Sequence, residues 1–238
     1  WGSNVTVAND SFIINSTGSG GGAMRITGDA TVVIANRSLI ANSRASVDLG
    51  GAFLIGGSAT PSILIVSNES SIIDSGAPSG GAIYAEAGAR VLVTYNSSIV
   101  ASDADTGGAM YLGGGTVILA NNSSVVNSTA SHRGGAVRGK DGSLELVNGS
   151  SISSSESTWD GGAIYLDGAS VTLMTGSSIS DSIANDGGAC FITSGVLTVR
   201  EGMIAESTAA SSGGAMLIIG GIVNLTESSI VGSHNNAS

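Results

Sequence analysis

The stretch Gly161-Gly162-Ala163-Ile164-Tyr165-Leu166 decides the fold, because the chain returns to its first three residues at regular intervals. A Gly-Gly-Ala triplet followed by an apolar residue begins at Gly21, Gly50, Gly80, Gly107, Gly134, Gly161, Gly187 and Gly213. The intervals are 29, 30, 27, 27, 27, 26 and 26 residues. A repeat period of about 20–50 residues is typical of solenoids, propellers and arrays, and it outweighs any local pattern.

Short apolar runs inside each repeat alternate with a period of two. In the repeat that starts at Gly161, Ile164 and Leu166 share one side of the first run, and Val171 and Leu173 share one side of the second. Clusters of Gly, Ser, Asn and Asp separate the runs, as they do between strands. Three short strands per turn predict an all-β protein, a single-stranded right-handed parallel β-helix of about eight turns of ~27 residues.

A second register, Ile-x-x-Ser, supports this fold. Its apolar members are Ile13, Ile40, Ile72, Ile99, Val125, Ile152, Ile179, Ile204 and Ile230. Its serines are Ser16, Ser43, Ser75, Ser102, Ser128, Ser155, Ser182, Ser207 and Ser233. A small residue recurs two positions later, at Gly18, Ala45, Ala77, Ala104, Ala130, Ser157, Ala184 and Ala209. We expect the apolar column to fill the core, the serines to hydrogen-bond along the stack, and the small residue to permit a tight corner.

Composition and the continuous repeat indicate one solenoid domain over residues 1–238. We interpret this domain as a segment of a longer chain or as a subunit that stacks end to end. The 18 acidic residues outnumber the eight basic ones, which makes nucleic acid a poor partner. The longest apolar run, near Met216 to Val223, is too short for membrane insertion. Open solenoid ends expose strand edges, so the expected partners are other copies, through axial or lateral self-association, or a surface protein or glycan.

The Gly-Gly-Ala-Ile motif, paired with a Phe-x-x-Asn motif such as Phe12-Ile13-Ile14-Asn15, resembles the repeats of chlamydial polymorphic outer-membrane proteins. Elsewhere Ile-x-x-Ser, as in Ile72 to Ser75, takes the place of the second motif. The resemblance covers essentially the whole chain through Gly-Gly-Ala. It implies a parallel β-helical passenger of a secreted adhesin at the cell surface.

Asn-x-Ser/Thr sequons recur at the corner after the second strand. They are Asn9, Asn36, Asn68, Asn96, Asn121, Asn122 and Asn148. Occupied sequons there would place a stripe of glycans along one edge of the rod and indicate a secreted eukaryotic glycoprotein. The alternative is that asparagine suits a corner, because it tolerates the left-handed conformation.

Few residues suggest catalysis, so the expectation is no enzyme, no cofactor and no metal site. Cys190 occupies an inward position and is interpreted as a buried apolar side chain. His132 and His234 are isolated and expected to be solvated. Arg133, Asp160 and Asp186 precede Gly-Gly-Ala in three successive turns. Two stacked carboxylates would suit a β-helical polysaccharide hydrolase or lyase, but a surface Arg-Asp column is the preferred interpretation.

The outward side of the first strand carries apolar residues in six of eight turns, at Leu54, Tyr84, Tyr111, Tyr165, Phe191 and Leu217, with Arg25 and Arg138 in the others. A continuous exposed apolar stripe often marks a contact surface. The sequence therefore predicts an extracellular structural glycoprotein rod that forms part of a surface fibre, filament or stalk. The alternative is a passenger-type adhesin that binds a host receptor or glycan.

Overall fold

The computed structural model describes residues 3–47, 49–56 and 60–236, and within these ranges the chain forms strands and turns but no helix. The strands assemble into three parallel sheets that wind around one apolar core as a β-solenoid of about eight turns. The predicted all-β parallel solenoid is therefore confirmed.

The strands are short in most turns and longer in the middle of the chain. The first ten are β1 (Asn4–Ala8), β2 (Phe12–Ile14), β3 (Thr17–Gly18), β4 (Met24–Ile26), β5 (Thr31–Ala35), β6 (Leu39–Ala41), β7 (Arg44–Ala45), β8 (Phe53–Ile55), β9 (Ser62–Val66) and β10 (Ser71–Ile73). The next ten are β11 (Gly76–Ser79), β12 (Ile83–Glu86), β13 (Ala89–Val93), β14 (Ser98–Val100), β15 (Asp103–Thr106), β16 (Met110–Leu119), β17 (Ser124–Val126), β18 (Thr129–Arg133), β19 (Val137–Leu146) and β20 (Ser151–Ser153). The last are β21 (Glu156–Ser157), β22 (Ile164–Met174), β23 (Ser178–Ser180), β24 (Ile183–Asp186), β25 (Cys190–Arg200), β26 (Met203–Ala205), β27 (Thr208–Ser212), β28 (Met216–Ile218), β29 (Ile222–Thr226), β30 (Ser229–Val231) and β31 (His234–Asn235).

The three strands predicted for each turn divide into sheets in a way that the sequence pattern did not indicate. The first and second apolar runs of a turn both lie in sheet A, which has 13 strands, and they merge into one long strand in β16, β19, β22 and β25. The Ile-x-x-Ser segment forms the nine-stranded sheet B. The recurrent small residue lies in a strand of the nine-stranded sheet C, as Ala130 does in β18, and not at a tight corner.

Residues at one repeat position stack directly across turns, as the sequence predicts. In sheet B, Ile152 pairs with Ile179, which pairs with Ile204. In sheet A, Leu144 pairs with Val171, which pairs with Leu197. All six side chains are fully buried. The core therefore consists of aliphatic columns parallel to the solenoid axis.

The Gly-Gly-Ala triplet forms the corner between sheet C and sheet A, and each of its residues meets a separate requirement. Gly161 adopts a φ of 66°, in the left-handed region that glycine enters at no steric cost. A Cβ on Gly162 would overlap the carbonyl oxygen of Gly188 in the next turn and the backbone of Ile183. Ala163 is fully buried. The triplet recurs because adjacent turns touch here through their backbones.

The other two corners also use left-handed residues. Asn36 and Arg37, with φ of 55° and 59°, turn the chain from sheet A to sheet B. Asn15 and Asn42, with φ of 58° and 51°, turn it from sheet B to sheet C. Asn15 is the asparagine of the Phe-x-x-Asn motif, and Ser16 of the Ile-x-x-Ser motif follows it. The two motifs are therefore neighbouring columns, and the expectation that one replaces the other is wrong.

Candidate functional site

The predicted sequons lie where the sequence places them, at the corner between sheets A and B. The left-handed column at this corner contains Asn9, Asn36, Asn68, Tyr95, Asn121 and Asn148, with φ between 53° and 59°. We call its asparagines the asparagine ladder. Their side chains are exposed, except for that of Asn121, which is half-buried.

Side-chain amides hydrogen-bond from rung to rung along this ladder. The Asn36 amide donates to Asn9 Oδ1 at 3.0 Å, and the Asn68 amide donates to Asn36 Oδ1 at 3.0 Å. Where Tyr95 interrupts the ladder, the Asn121 amide donates to Thr94 Oγ1 at 3.0 Å. The Asn148 amide donates to Asn121 Oδ1 at 3.2 Å. The nitrogen that a glycan would modify is therefore already a donor on four rungs.

Asn96 and Asn122 lie one residue beyond the ladder, so their columns differ from that of the other sequons. Asn96 follows Tyr95, and the N–H of Asn96 donates to the carbonyl of Asn121. Both side chains are exposed, and neither amide makes a side-chain hydrogen bond within the described residues. These two amides, together with that of Asn9, are free donors.

A buried serine column that sequence reasoning missed lies beneath the same corner. The N–H of Ser38 donates to Ser70 Oγ at 3.2 Å, and the N–H of Ser70 donates to Ser97 Oγ at 3.3 Å. Ser38 and Ser70 are also the hydroxyl residues of the sequons that begin at Asn36 and Asn68. The sequence signal was present, because the serine of these sequons recurs once per turn. The sequon pattern therefore coincides with a structural requirement for a small hydroxyl residue.

The serine column of the Ile-x-x-Ser register bonds along the stack in its last three turns, whereas the buried hydroxyls of Ser43, Ser102 and Ser128 have no hydrogen-bond partner among the described residues. The N–H of Ser182 donates to Ser207 Oγ at 3.3 Å, and the N–H of Ser207 donates to Ser233 Oγ at 3.2 Å. Each hydroxyl in turn donates to the carbonyl two residues earlier, as Ser207 does to Ala205 at 3.0 Å. Two hydroxyl columns therefore line the two ends of sheet B.

The outward column of the first strand is not a continuous exposed stripe, which corrects the sequence-based expectation. Leu54, Tyr165 and Phe191 are buried, and Tyr84, Tyr111 and Leu217 are half-buried. The corner before Gly-Gly-Ala covers the column, and the Arg133 guanidinium lies 4.9 Å from the centre of the Tyr165 ring. Period-2 alternation predicts the face of the strand on which a side chain lies. It does not predict whether another segment of the chain covers that face.

The column forms one continuous stack in its middle turns. Tyr84 and Tyr111 stack with ring centres 4.7 Å apart, and Tyr165 and Phe191 stack at 5.4 Å. The Arg138 guanidinium lies between the two pairs, 5.7 Å from the Tyr111 ring and 5.2 Å from the Tyr165 ring. Cation–π contacts of this kind hold an arginine among aromatic rings. Burial raises the pKa of Tyr84 above its ordinary value.

The candidate acidic pair lies in one column, as predicted. Arg133 pairs with Asp160, and Asp160 pairs with Asp186, through isolated parallel bridges. Asp160 accepts a hydrogen bond from Arg133 Nε at 3.2 Å. Asp186 accepts one from the Asn185 amide at 2.8 Å. Both carboxylates are therefore held as hydrogen-bond acceptors at the surface.

The remaining candidates behave as structural residues. Cys190 is fully buried in the column of Ile164 and Met216. Burial raises the pKa of its thiol to about 12, which keeps it protonated and unreactive. His132 and His234 are exposed at different turns. Within residues 3–47, 49–56 and 60–236, no three metal-ligating side chains cluster, and no helix could cross a bilayer.

Comparison with known proteins finds no matching family model and no significant match to a curated protein or a solved structure. The functional argument therefore depends on the geometry of this chain.

We expect two substitutions at Asn36 to separate the contribution of backbone conformation to stability from that of side-chain hydrogen bonding. Asn36→Ala should lower the free energy of unfolding by about 2 kcal/mol, because alanine is strained at this φ and two ladder bonds are lost. Asn36→Gly should cost only about 1 kcal/mol, because glycine accepts the conformation. Guanidinium denaturation measures both changes.

Asn224→Ala, at an exposed strand position, is the matched control and should change stability little. Equal losses for Asn36→Ala and Asn36→Gly would show that backbone strain does not contribute at this corner.

Proposed function

We propose that the chain is part of an extracellular structural glycoprotein rod, a segment of a surface fibre, filament or stalk, and that it is not an enzyme. One observation carries the proposal: aliphatic core columns keep one register from turn to turn through the described stack, as Leu144, Val171 and Leu197 do. Val5 at one end, and Leu225 and Ile230 at the other, are exposed members of these columns. A second copy docked on either face would bury them.

The mechanism of such a rod is mechanical. Parallel backbone hydrogen bonds join every turn to the next in all three sheets. Backbone contact at Gly-Gly-Ala and side-chain hydrogen bonds at the asparagine ladder add contacts at two corners. A solenoid of this kind is stabilised by nearest-neighbour interfaces. Adding turns would therefore extend the rod without a new type of interface.

A passenger-type adhesin is the second candidate function, in line with the family resemblance. The observation that favours it is Trp159, whose side chain is 58 % exposed on the side of the solenoid beside Arg133. An exposed indole offers a flat apolar face and an N–H donor to a ligand. This alternative requires a ligand on the side of the rod rather than at its ends.

We expect the purified chain to associate end to end as its concentration rises. Ile230→Asp should weaken association, because it places a charge on the exposed end of a core column. Ile183→Asp is the matched control, because Ile183 is 51 % exposed on the side of the rod, compared with 39 % for Ile230 at its end. Sedimentation velocity and negative-stain imaging measure particle size and length.

A chain that stays monomeric at all accessible concentrations would contradict axial self-association. Association lost in Ile183→Asp and kept in Ile230→Asp would contradict it too, since it would indicate side-by-side packing.

We also expect the predicted glycans to be distributed unevenly when the chain is secreted from eukaryotic cells. Glycosylation should concentrate at Asn9, Asn96 and Asn122, whose amides donate no hydrogen bond within the described residues. It should be lower at the four donating rungs, because each of their amide nitrogens already uses one of its two hydrogens in a ladder bond, which restricts its approach to a glycosylating enzyme. Glycopeptide mass spectrometry reads the occupancy at each site.

Ser98→Ala and Ser124→Ala remove the sequons at Asn96 and Asn122 without changing the ladder, and should abolish modification there. Bare asparagines at all seven sites would contradict the glycoprotein part of the proposal.

A further inference from the structure

A cavity of about 410 Å³ lies on the side of the solenoid, over the corner between sheets C and A. It is lined by Thr106, His132, Arg133, Arg138, Trp159 and Asp160. Its volume lies within the range of small-molecule sites, and its lining combines an aromatic ring with cationic groups, as such sites often do. Trp159 was not singled out by the sequence patterns, because it belongs to no repeated column.

The cavity lining carries two arginines, Arg133 and Arg138, and one aspartate, Asp160. The protein carries a formal net charge of −10 and only eight basic residues. Two of these, Arg133 and Arg138, lie in the lining. A local concentration of cations on an acidic protein favours an anionic ligand there.

Each of the two arginines has one carboxylate partner, which leaves other nitrogens of its guanidinium group without an acceptor on a carboxylate. Arg133 uses Nε to bond Asp160, and its half-exposed side chain leaves the terminal nitrogens available. Arg138 is only 15 % exposed, and its nearest carboxylate oxygen, on Asp167, is 3.8 Å away. Its Nε is buried without a hydrogen-bond partner. The rings of Tyr111 and Tyr165 hold this guanidinium in place.

A larger groove over sheet C, of about 640 Å³, provides a contrast. Its charged lining is acidic, because Arg44 pairs with Asp103 while Asp105 and Glu156 add two further carboxylates. That groove lacks an aromatic residue. At Trp159, by contrast, an exposed indole lies beside two guanidinium groups.

We propose that this cavity binds a carboxylate-bearing saccharide, with Trp159 stacking on the C–H face of a sugar ring and Arg133 binding its carboxylate. The flat indole suits the apolar face of a pyranose ring, and the planar guanidinium fork matches a carboxylate in geometry and charge. Arg138 adds positive potential from its fixed position in the aromatic stack. The site lies within one chain, so it does not depend on the rod assembling.

The test uses trigalacturonic acid as the probe and its fully methyl-esterified form as the neutral comparison. In a Trp1→Phe background, Trp159 is the only tryptophan and its fluorescence reports binding. We expect a saturable change with the acid, weakened by added salt, and little change with the ester. Arg133→Gln should weaken binding about tenfold, since it removes a charge-assisted hydrogen bond. Calorimetry should show a similar loss for Trp159→Ala.

Arg37→Gln is the matched control, because Arg37 also forms an exposed ion pair with an aspartate, Asp10, at a distant corner. Its affinity should equal that of the unsubstituted chain. Unchanged thermal midpoints would show that the variants remain folded. The proposal is overturned by absence of binding up to about 10 mM, by equal binding of acid and ester, or by equal losses for Arg133→Gln and Arg37→Gln. Binding of a sulfated trisaccharide without binding of the uronate would overturn the assignment to a carboxylate.

Discussion

The close approach of successive turns at the second glycine of Gly-Gly-Ala is the constraint on which the rest of the structure depends. At Gly162 a side chain would occupy the space of the next turn's backbone. The same overlap arises at Gly51, Gly81, Gly108 and Gly135. Because successive turns are in backbone contact at this corner, they are held in one register. That register aligns every other column of the solenoid.

The remaining columns follow from that alignment. Aliphatic side chains stack inside all three sheets, and serines and asparagines stack at the corners, where left-handed residues reverse the chain direction. Hydroxyl and amide groups recur in columns, and many rungs offer an acceptor to the donor of a neighbouring rung. Charged pairs such as Arg37 with Asp10 lie at the surface across adjacent turns, whereas Arg138 is largely buried in the aromatic stack.

Periodicity alone predicted the solenoid, its core columns and the burial of Cys190, because stacking forces one environment on one repeat position. It did not predict that the two runs of a turn, such as Ile164–Leu166 and Val171–Leu173, share one sheet, because alternation does not reveal whether the chain bends between them. The covering of Tyr165 by Arg133 was missed for a related reason, since it joins residues from different columns. Asn96 matched the sequon spacing but lies one residue beyond the ladder, because Tyr95 occupies the ladder position in that turn. No other turn has a tryptophan at the repeat position of Trp159, so the repeat pattern could not indicate this residue.

The stability of Gly162→Ala, compared with that of Gly28→Ala, tests the central role of the glycine contact most directly. Gly28 has a φ of 67° but open space around a would-be Cβ, so alanine there should cost about 1–2 kcal/mol from backbone strain alone. At Gly162 the clash is with the backbone of the next turn, and we predict a loss of about 3 kcal/mol or more in the free energy of unfolding. A loss at Gly162 no larger than that at Gly28 would contradict the conclusion that backbone contact between turns sets the register of the solenoid.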